Sequence, residues 1–418
     1  MRFLENITYI ITLIFLVVTV SYYILLFIPG KISGKKQKFS SITIIIPAHN
    51  EEDYIEDAID SVIVAEFHGK KEIIVVDDGS TDATSQKIRK YKNVKLIQTG
   101  HSGKSASINK ALFAAKGDLI AIVDGDSCIS KNSLEEMSLM LSNDKTAGVC
   151  CVVKVKNHHK FVCMWLHIEQ IYSSLIRSLF SKINANIVTP GPLSMYKRKE
   201  LIEIGGFSTN GLSEDIDIAI RLIRKGYKIE FCESAVAETN MPYKIKDFLR
   251  QRFRFARGMT NIFKRHLKVN KTAIDIYTLP IFLFSYVQGV IMGIFIIYQM
   301  VSGYFVYFAS KGIFLSFGVV RFFFEWLSIV GFVRWASSIF SGATPLTLIT
   351  LMGIISTFLT YPLYLFAIIK YDKKITIWHI IPLCFMFPFW LFIMLVYTIA
   401  IPEYFKKEQY NIWHKNSN

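Results

Sequence analysis

Hydrophobic positions in this chain fall into two regimes. From Ile7 to Ile28 the sequence is apolar and carries no charge, long enough for a helix that crosses a bilayer. Charge-poor stretches return only after Asp275, as Ile276–Ser310, Ile313–Val333, Pro345–Ile369 and Ile375–Ile401. Between these flanks, short apolar runs alternate with longer amphipathic ones. Ile42–Ile46, Glu72–Val76, Val94–Ile97 and Leu119–Val123 read as strands; Glu51–Ala65, Asp82–Tyr91 and Ser105–Ala115 read as helices. Such alternation predicts right-handed βαβ units, and strands apolar on both faces predict a parallel sheet covered by helices on each side.

The first apolar run is too long for a signal-peptide core, and Pro29-Gly30-Lys31 offers no small-residue cleavage site, so it is expected to stay as an anchor. Lys31, Lys35, Lys36 and Lys38 crowd its C-terminal side and put the following block in the cytoplasm by the positive-inside rule. Arg321 and Glu325 interrupt the second of the four later stretches. At i,i+4 they share a helix face and could pair, or the segment could be re-entrant or interfacial. Four C-terminal crossings return Lys406, Lys407 and Lys415 to the cytoplasm, and three do the reverse; four is the working expectation.

Parallel α/β sheets bind ligands beyond the carboxyl ends of their strands. Pro47-Ala48-His49-Asn50-Glu51 follows the first strand, Asp77-Asp78-Gly79-Ser80-Thr81-Asp82 the second, and Asp124-Gly125-Asp126 the fourth. Helix capping accounts for a lone Ser or Asp there, but not for two carboxylates flanking a glycine. Carboxylates so close favour a positive occupant, and a hard divalent cation bound by oxygens is the natural one. No Cys/His set suggests zinc. The six cysteines show no Cys-x-x-Cys spacing, and five lie in the block placed in the cytoplasm, so reduced thiols are expected. His101-Ser102-Gly103-Lys104-Ser105 lacks the first glycine of a phosphate-binding loop, and there is no Gly-x-Gly-x-x-Gly, which disfavours an ATPase or a dinucleotide enzyme.

The composition is consistent with this segregation. The chain has 418 residues, 52% hydrophobic and 19% charged, with a formal charge of +15. Much of that charge sits where the chain would meet a membrane. Across Lys244–Lys268, Lys244, Lys246, Arg250, Arg252, Arg254, Arg257, Lys264, Arg265 and Lys268 oppose only Asp247, while Phe248, Phe255, Met259 and Ile262 recur near helical spacing. This predicts a basic amphipathic helix on an anionic leaflet, and membrane lipid rather than nucleic acid explains the charge. Phe161–Phe180 is also helical in pattern and is read as a core-packing helix.

In order along the chain come Pro-Ala-His-Asn-Glu, Val-Asp-Asp-Gly-Ser, Gly-Lys-Ser-Ala-Ser-Ile-Asn, Asp-Gly-Asp, Gly-Pro-Leu-Ser-Met-Tyr, Ser-Glu-Asp and Gln251-Arg252-Phe253-Arg254-Phe255. Together these resemble glycosyltransferase family 2, and within it the membrane-embedded processive branch that contains hyaluronan, poly-N-acetylglucosamine and cellulose synthases. The resemblance implies an α/β GT-A (nucleotide-diphospho-sugar transferase) domain plus transmembrane α-helices. It divides the chain into an anchor and basic linker (1–39), the catalytic domain (40–240), the interfacial helix (241–272), the C-terminal membrane region (273–402) and a basic tail (403–418).

It also implies roles. Asp78 would bond the uracil of a UDP-sugar, with His49 beside the base and Glu51 on the donor side. Lys104 would approach the phosphates, Asp124 the ribose or the metal, and Asp126 would bind Mg²⁺ or Mn²⁺. Asp215 matches the general base, Gln251 and Arg254 enclose the acceptor and leaving diphosphate, and Gly191, Glu214 and Phe255 lie on the acceptor side, with an acceptor-lining role for Phe161–Phe180 as the alternative to core packing. One base without a covalent nucleophile implies a single inverting displacement. Phe255 stands where the family usually has Trp, Ser213 where Thr is common, and Pro190 precedes Gly191 where a small polar residue or Cys is frequent; all three fall on the acceptor side. The Gly-Pro-Leu-Ser stretch tilts the donor towards UDP-N-acetylglucosamine.

The expected function is thus extension of a β-linked polysaccharide, with export through the spans, at the cell membrane by a multi-pass protein whose catalytic domain faces the cytoplasm. The resemblance admits an accessory membrane subunit. The rivals are a non-processive transferase acting on a lipid-linked acceptor and a non-catalytic nucleotide-sensing transporter.

Overall fold

The computed structural model describes residues 2–30, 39–268 and 272–405. The Lys31–Lys38 cluster and the tail lysines Lys406, Lys407 and Lys415 lie outside the described residues. Helix α1 (Arg2–Phe27) precedes the α/β block. That block runs β1 (Ser41–Ala48), α2 (Ile55–Val64), β2 (Lys70–Asp77), α3 (Thr84–Ile88), β3 (Val94–Gln98), α4 (Lys104–Ala114), β4 (Leu119–Ile122) and β5 (Ser127–Ile129). It continues with α5 (Ser133–Leu141), β6 (Thr146–Val155), α6 (Phe161–Ser181), β7 (Ser194–Lys197), α7 (Arg198–Glu203), α8 (Glu214–Arg224) and β8 (Lys228–Thr239).

The eight strands form one sheet in the order β3-β2-β1-β4-β7-β6-β8-β5. The four strands expected from the sequence pair in parallel. Beyond β4 the sheet is mixed, because β7 runs antiparallel to both β4 and β6. In β1 the side chains divide by parity, as the two-residue strand period requires. Ile42, Ile44 and Ile46 pack with Ile59 of α2 and Met137 of α5, whereas Ile45 packs with Ile108 of α4, Leu175 of α6 and Ile220 of α8. All four isoleucines are fully buried, which explains the unbroken apolar run.

Helix α9 (Ile245–His266) leaves the sheet and leads to α10 (Leu279–Tyr307), α11 (Phe317–Leu327), α12 (Ile329–Phe340), α13 (Leu348–Asp372), α14 (Ile377–Cys384) and α15 (Met386–Ala400). Three helical segments, Asn6–Phe27, Ile274–Lys311 and Thr350–Asp372, are long and apolar enough to cross a membrane, and α14 with α15 could form a fourth span bent by 58°. The expected span Ile313–Val333 is not one helix. It breaks at Ser328, whose backbone is extended, into the short α11 and α12. Arg321 pairs with Glu325 at 2.8 Å as the spacing predicts, and Arg334 of α12 joins the same carboxylate. This ion cluster ends the apolar run, so the C-terminal region has two long helices and a bent pair rather than four straight crossings. Helix α9 is amphipathic as expected, but its apolar face packs on α15 through Ala256, Val396 and Ala400 rather than resting on lipid alone.

The α/β block and the membrane helices are joined by a buried polar clamp. Asp372, at the end of α13, accepts hydrogen bonds from His167 Nε2 (2.7 Å) and His379 Nε2 (2.9 Å) on one oxygen, and pairs with Lys154 (2.7 Å) through the other. The N–H of Val155 donates to His167 Nδ1 and that of Thr376 to His379 Nδ1, which fixes both ring protons on Nε2. A metal held at both Nε2 atoms would force those protons onto Nδ1 atoms that already face N–H donors. The group is therefore a clamp, not a cation site. Asp372→Ala leaves two imidazole N–H groups without their acceptor and Lys154, still bonded to the Tyr371 carbonyl, without its counterion, and should cost about 3 kcal/mol. Thermal unfolding in nanodiscs should show a midpoint several degrees lower, and an unchanged midpoint would contradict the clamp.

Candidate active site

The ends of β1, β2 and β4 converge as the parallel topology requires. Asp78 is fully buried. Its Oδ1 accepts from Thr99 Oγ1 (2.6 Å) and the Ser102 N–H (2.7 Å), and its Oδ2 from the Gly103 N–H (2.8 Å). Burial opposes its charge, but these hydrogen bonds outweigh that and hold the carboxyl below its ordinary range. Asp78 thus shapes the 99–103 loop, in which His101 and Gly103 take positive φ. His49 is buried behind it, its Nδ1 2.8 Å from the Asp78 carbonyl and its ring 4.4 Å from that of His101.

Lys104, the first residue of α4, is the cationic centre. Its Nζ lies 2.6 Å from Asp124 Oδ1 and 3.5 Å from Glu214 Oε1. Burial works against its charge, yet Asp124 and Glu214 more than offset this and raise its pKa. Burial lifts the Asp124 carboxyl, opposed by Lys104 and reinforced by Asp126. Gly191 closes the back of this centre, its carbonyl accepting from the Asp124 N–H at 3.2 Å. A Cβ at Gly191 would overlap Asp124 Oδ2 and stand 2.8 Å from Lys104 Nζ, so a larger residue there would displace the side chains of that ion pair.

Asp215 occupies the first turn of α8, with its backbone carbonyl held by Thr189 Oγ1 (2.7 Å), itself bonded by the Tyr196 hydroxyl. Burial, with Glu214 adding to it, pushes the Asp215 carboxyl up to about 7. The helix N-terminus favours the anion but does not prevail. Asp215 therefore titrates near neutrality, as a proton acceptor should.

Gln251, Arg254 and Phe255 share a face of α9 by their i, i+3, i+4 spacing, and all three line one cavity of about 2050 Å³. Phe255 stays 41% exposed, presenting an aromatic face. Beside them, Arg252 forms a bidentate pair with Glu169 of α6 at 2.6 and 2.5 Å, and both line the same cavity. The same cavity is lined by Glu51, Lys104, Asp124, Asp126, Gly191, Glu214 and Asp215, and continues among the membrane helices past Tyr22, Glu325, Trp335 and Trp390. Of the residues expected from the sequence, only His49 and Asp78 stand off this wall.

Sequence reasoning missed three structural supports: the Arg252–Glu169 pair, the Arg334 partner of Glu325, and a buried network under α8. In that network Asp217 holds Arg221 and His266, and Arg224 reaches Asp275 at 2.6 Å. Helical spacing signals only Asp217–Arg221. For a metal, Asp124 and Asp126 offer oxygen donors alone. Asp124 Oδ1 holds Lys104 Nζ at 2.6 Å, and the oxygen-only donor set of the two carboxylates is the chemistry that suits a hard divalent cation.

Residues 43–205 match the family model for glycosyl transferase family 2. A probable glycosyltransferase YdaM of Bacillus subtilis (strain 168) is 29% identical over 276 residues, covering 61% of this chain and 65% of the relative. A poly-beta-1,6-N-acetyl-D-glucosamine synthase of Staphylococcus aureus (strain MSSA476) is 26% identical over 232 residues, covering 53% of this chain and 55% of the relative. The chain thus aligns with less than two thirds of either relative. The structure of the mannosyltransferase PcManGT from Pyrobaculum calidifontis, in complex with GDP-Man and Mn²⁺, covers 95% of this chain and 99% of its own at a TM-score of 0.60 and 18% identity. That likeness establishes the GT-A fold.

The raised Asp215 pKa has a consequence for stability. In the unfolded chain its proton leaves near pH 4, and in the folded chain near 7. Between those values the folded state binds more protons, so stability falls as pH rises through the window. Asp215→Asn removes this slope, and should gain up to about 4 kcal/mol over the native protein at pH 8 relative to pH 4. Thermal unfolding across that range reads the gain; a gain equal at both ends would exclude a raised Asp215.

Proposed function

Because the chain carries a glycosyl transferase family 2 domain on a GT-A fold, we propose that it is an inverting hexosyltransferase that takes its sugar from a nucleoside diphosphate donor. The single observation that carries this reading is the convergence of Lys104, the Asp124/Asp126 pair and the near-neutral Asp215 on one cavity. The 99–103 loop, braced by Asp78, would receive the base, with UDP-N-acetylglucosamine the best-supported donor. Lys104 would meet the phosphates. Asp124 and Asp126 would hold Mg²⁺ or Mn²⁺, which when bound neutralises charge on the departing diphosphate. Arg254 would stabilise the same leaving group, and Phe255 would stack on the acceptor sugar. Asp215 would take the proton of the acceptor hydroxyl from the face opposite the leaving group, giving inversion.

For the acceptor we favour a growing β-linked polysaccharide, made by a multi-pass membrane protein with its catalytic domain in the cytoplasm and passed through the membrane helices. The run of one cavity from Asp215 to Trp390 supports that route. A second reading, transfer to a lipid-linked acceptor, is favoured by the stripe Phe15, Val18 and Tyr22 of α1 in the same cavity wall.

Three outcomes are expected. With labelled UDP-sugars, kcat/KM should rise with pH through about 7 as Asp215 ionises. Asp215→Asn should lower turnover by roughly 10²–10⁴-fold with UDP binding intact; full turnover in this variant would remove Asp215 from the chemistry. Chelation should abolish transfer and Mg²⁺ or Mn²⁺ should restore it, whereas Asp126→Ala should not be rescued. Product size separates the acceptors, since polymer on a gel supports the first reading and a lipid-linked monosaccharide the second. In liposomes, a polymer reachable by glycanase only from the donor side would exclude export.

A further inference from the structure

We propose that Arg177 is the docking point for a phosphate group on a membrane-borne, polyprenyl-type acceptor. The proposal deepens the second acceptor reading and rests on Asp215 as the base. Arg177 is only 5% exposed, on the face of α6 that also brings Glu169, Ser173 and Phe180 to the cavity wall. Its Nη2 donates to Ser174 Oγ (2.8 Å) and the Cys151 carbonyl (3.4 Å), but its Nε has no hydrogen-bond partner. Among the described residues no carboxylate pairs with it. A guanidinium does not give up its proton, and a buried charge without a counterion is costly. The contrast is plain: Arg252 of α9, also buried, is matched bidentately by Glu169 of α6. Arg177 and Asp215 line the same cavity.

The missing counterion is therefore one that the cavity admits, and the surroundings identify its carrier. Phe15, Val18, Thr19 and Tyr22 of α1 line the cavity at i, i+3, i+4, i+7, an apolar track along a membrane-length helix. The track ends at Phe180, whose ring lies 5.8 Å from that of Tyr22 and which is one turn from Arg177. Lys182 Nζ donates to the Leu25 and Leu26 carbonyls at 2.9 and 3.2 Å, which sets the end of α6 level with the end of α1. Arg177 precedes Phe180 by one turn on the same cavity wall, so the guanidinium lies close to the end of this track. A buried cation beside an apolar track suits a chain bearing a phosphate, whose oxygens accept two N–H bonds from one guanidinium.

The test uses the full-length protein in nanodiscs, with farnesyl phosphate and farnesol as probes and UDP binding as the control for a folded donor site. Native protein should bind the phosphate at least about tenfold tighter than the alcohol. Arg177→Gln should abolish that preference while leaving farnesol and UDP affinity unchanged, and Arg177→Lys should keep part of it. Equal binding of phosphate and alcohol by the native protein, which requires no variant, would overturn the proposal. So would an Arg177→Gln protein that keeps the preference. Saturable competition by glucuronate but not by farnesyl phosphate would give Arg177 to an acidic sugar instead, and also overturns it. Asp215→Asn should bind farnesyl phosphate like the native protein; if that variant turned over fully, the base assignment would fail while the Arg177 site stood.

Discussion

Four carboxylates, from Asp124, Asp126, Glu214 and Asp215, face one cavity around a single buried ammonium, that of Lys104. Low-dielectric surroundings make each repulsion expensive, so the arrangement persists only with protons or cations shared among the group. The rest of the site follows from how that excess is held. Asp215 keeps its proton to near neutrality, Asp124 leans on Lys104 and on the bare backbone of Gly191, and Asp126 shares its oxygen with Ser127 and Thr239. The same imbalance suits the site to a hard divalent cation.

Around that centre, the catalytic domain and the membrane helices share their walls. Helix α6 gives one face to the sheet and another to the cavity, so core packing accounts for only one side of it. Helix α9 is locked to α6 by Arg252–Glu169 and to α15 by small residues. The faces carrying Asp215 and Gln251 are thereby fixed relative to the helices that continue the cavity.

The first four strands were legible because each is an isolated apolar run ending in turn residues, and the chemistry sits where those runs stop. The second half of the sheet was harder to see. β5 and β7 are only three and four residues long, and β8 carries Glu230, Glu233 and Glu238 among its apolar positions. The site motifs were legible as residues, though the clearest recognition came from a family resemblance rather than from spacing. What the sequence hid were contacts between distant segments. Arg252 and Glu169 are 83 positions apart, and Asp372 reaches back 205 positions to His167, so no local pattern announces either. Arg177 was hidden for another reason: within an amphipathic helix a single arginine looks like a surface residue until its burial is known.

The end of α1 alters how the N-terminal segment should be regarded. Its last carbonyls are capped by Lys182, Ser21 shares a hydrogen bond with Tyr277, and Leu25 belongs to the same buried cluster as Ile108 and Phe180. A soluble fragment beginning after residue 39 would lose a wall of its own core, exposing Phe180 and Ile176 as a sticky groove and leaving Lys182 without its acceptors. The end of what looks like a tether is thus part of the core, and cutting it away trades solubility in detergent for aggregation in water.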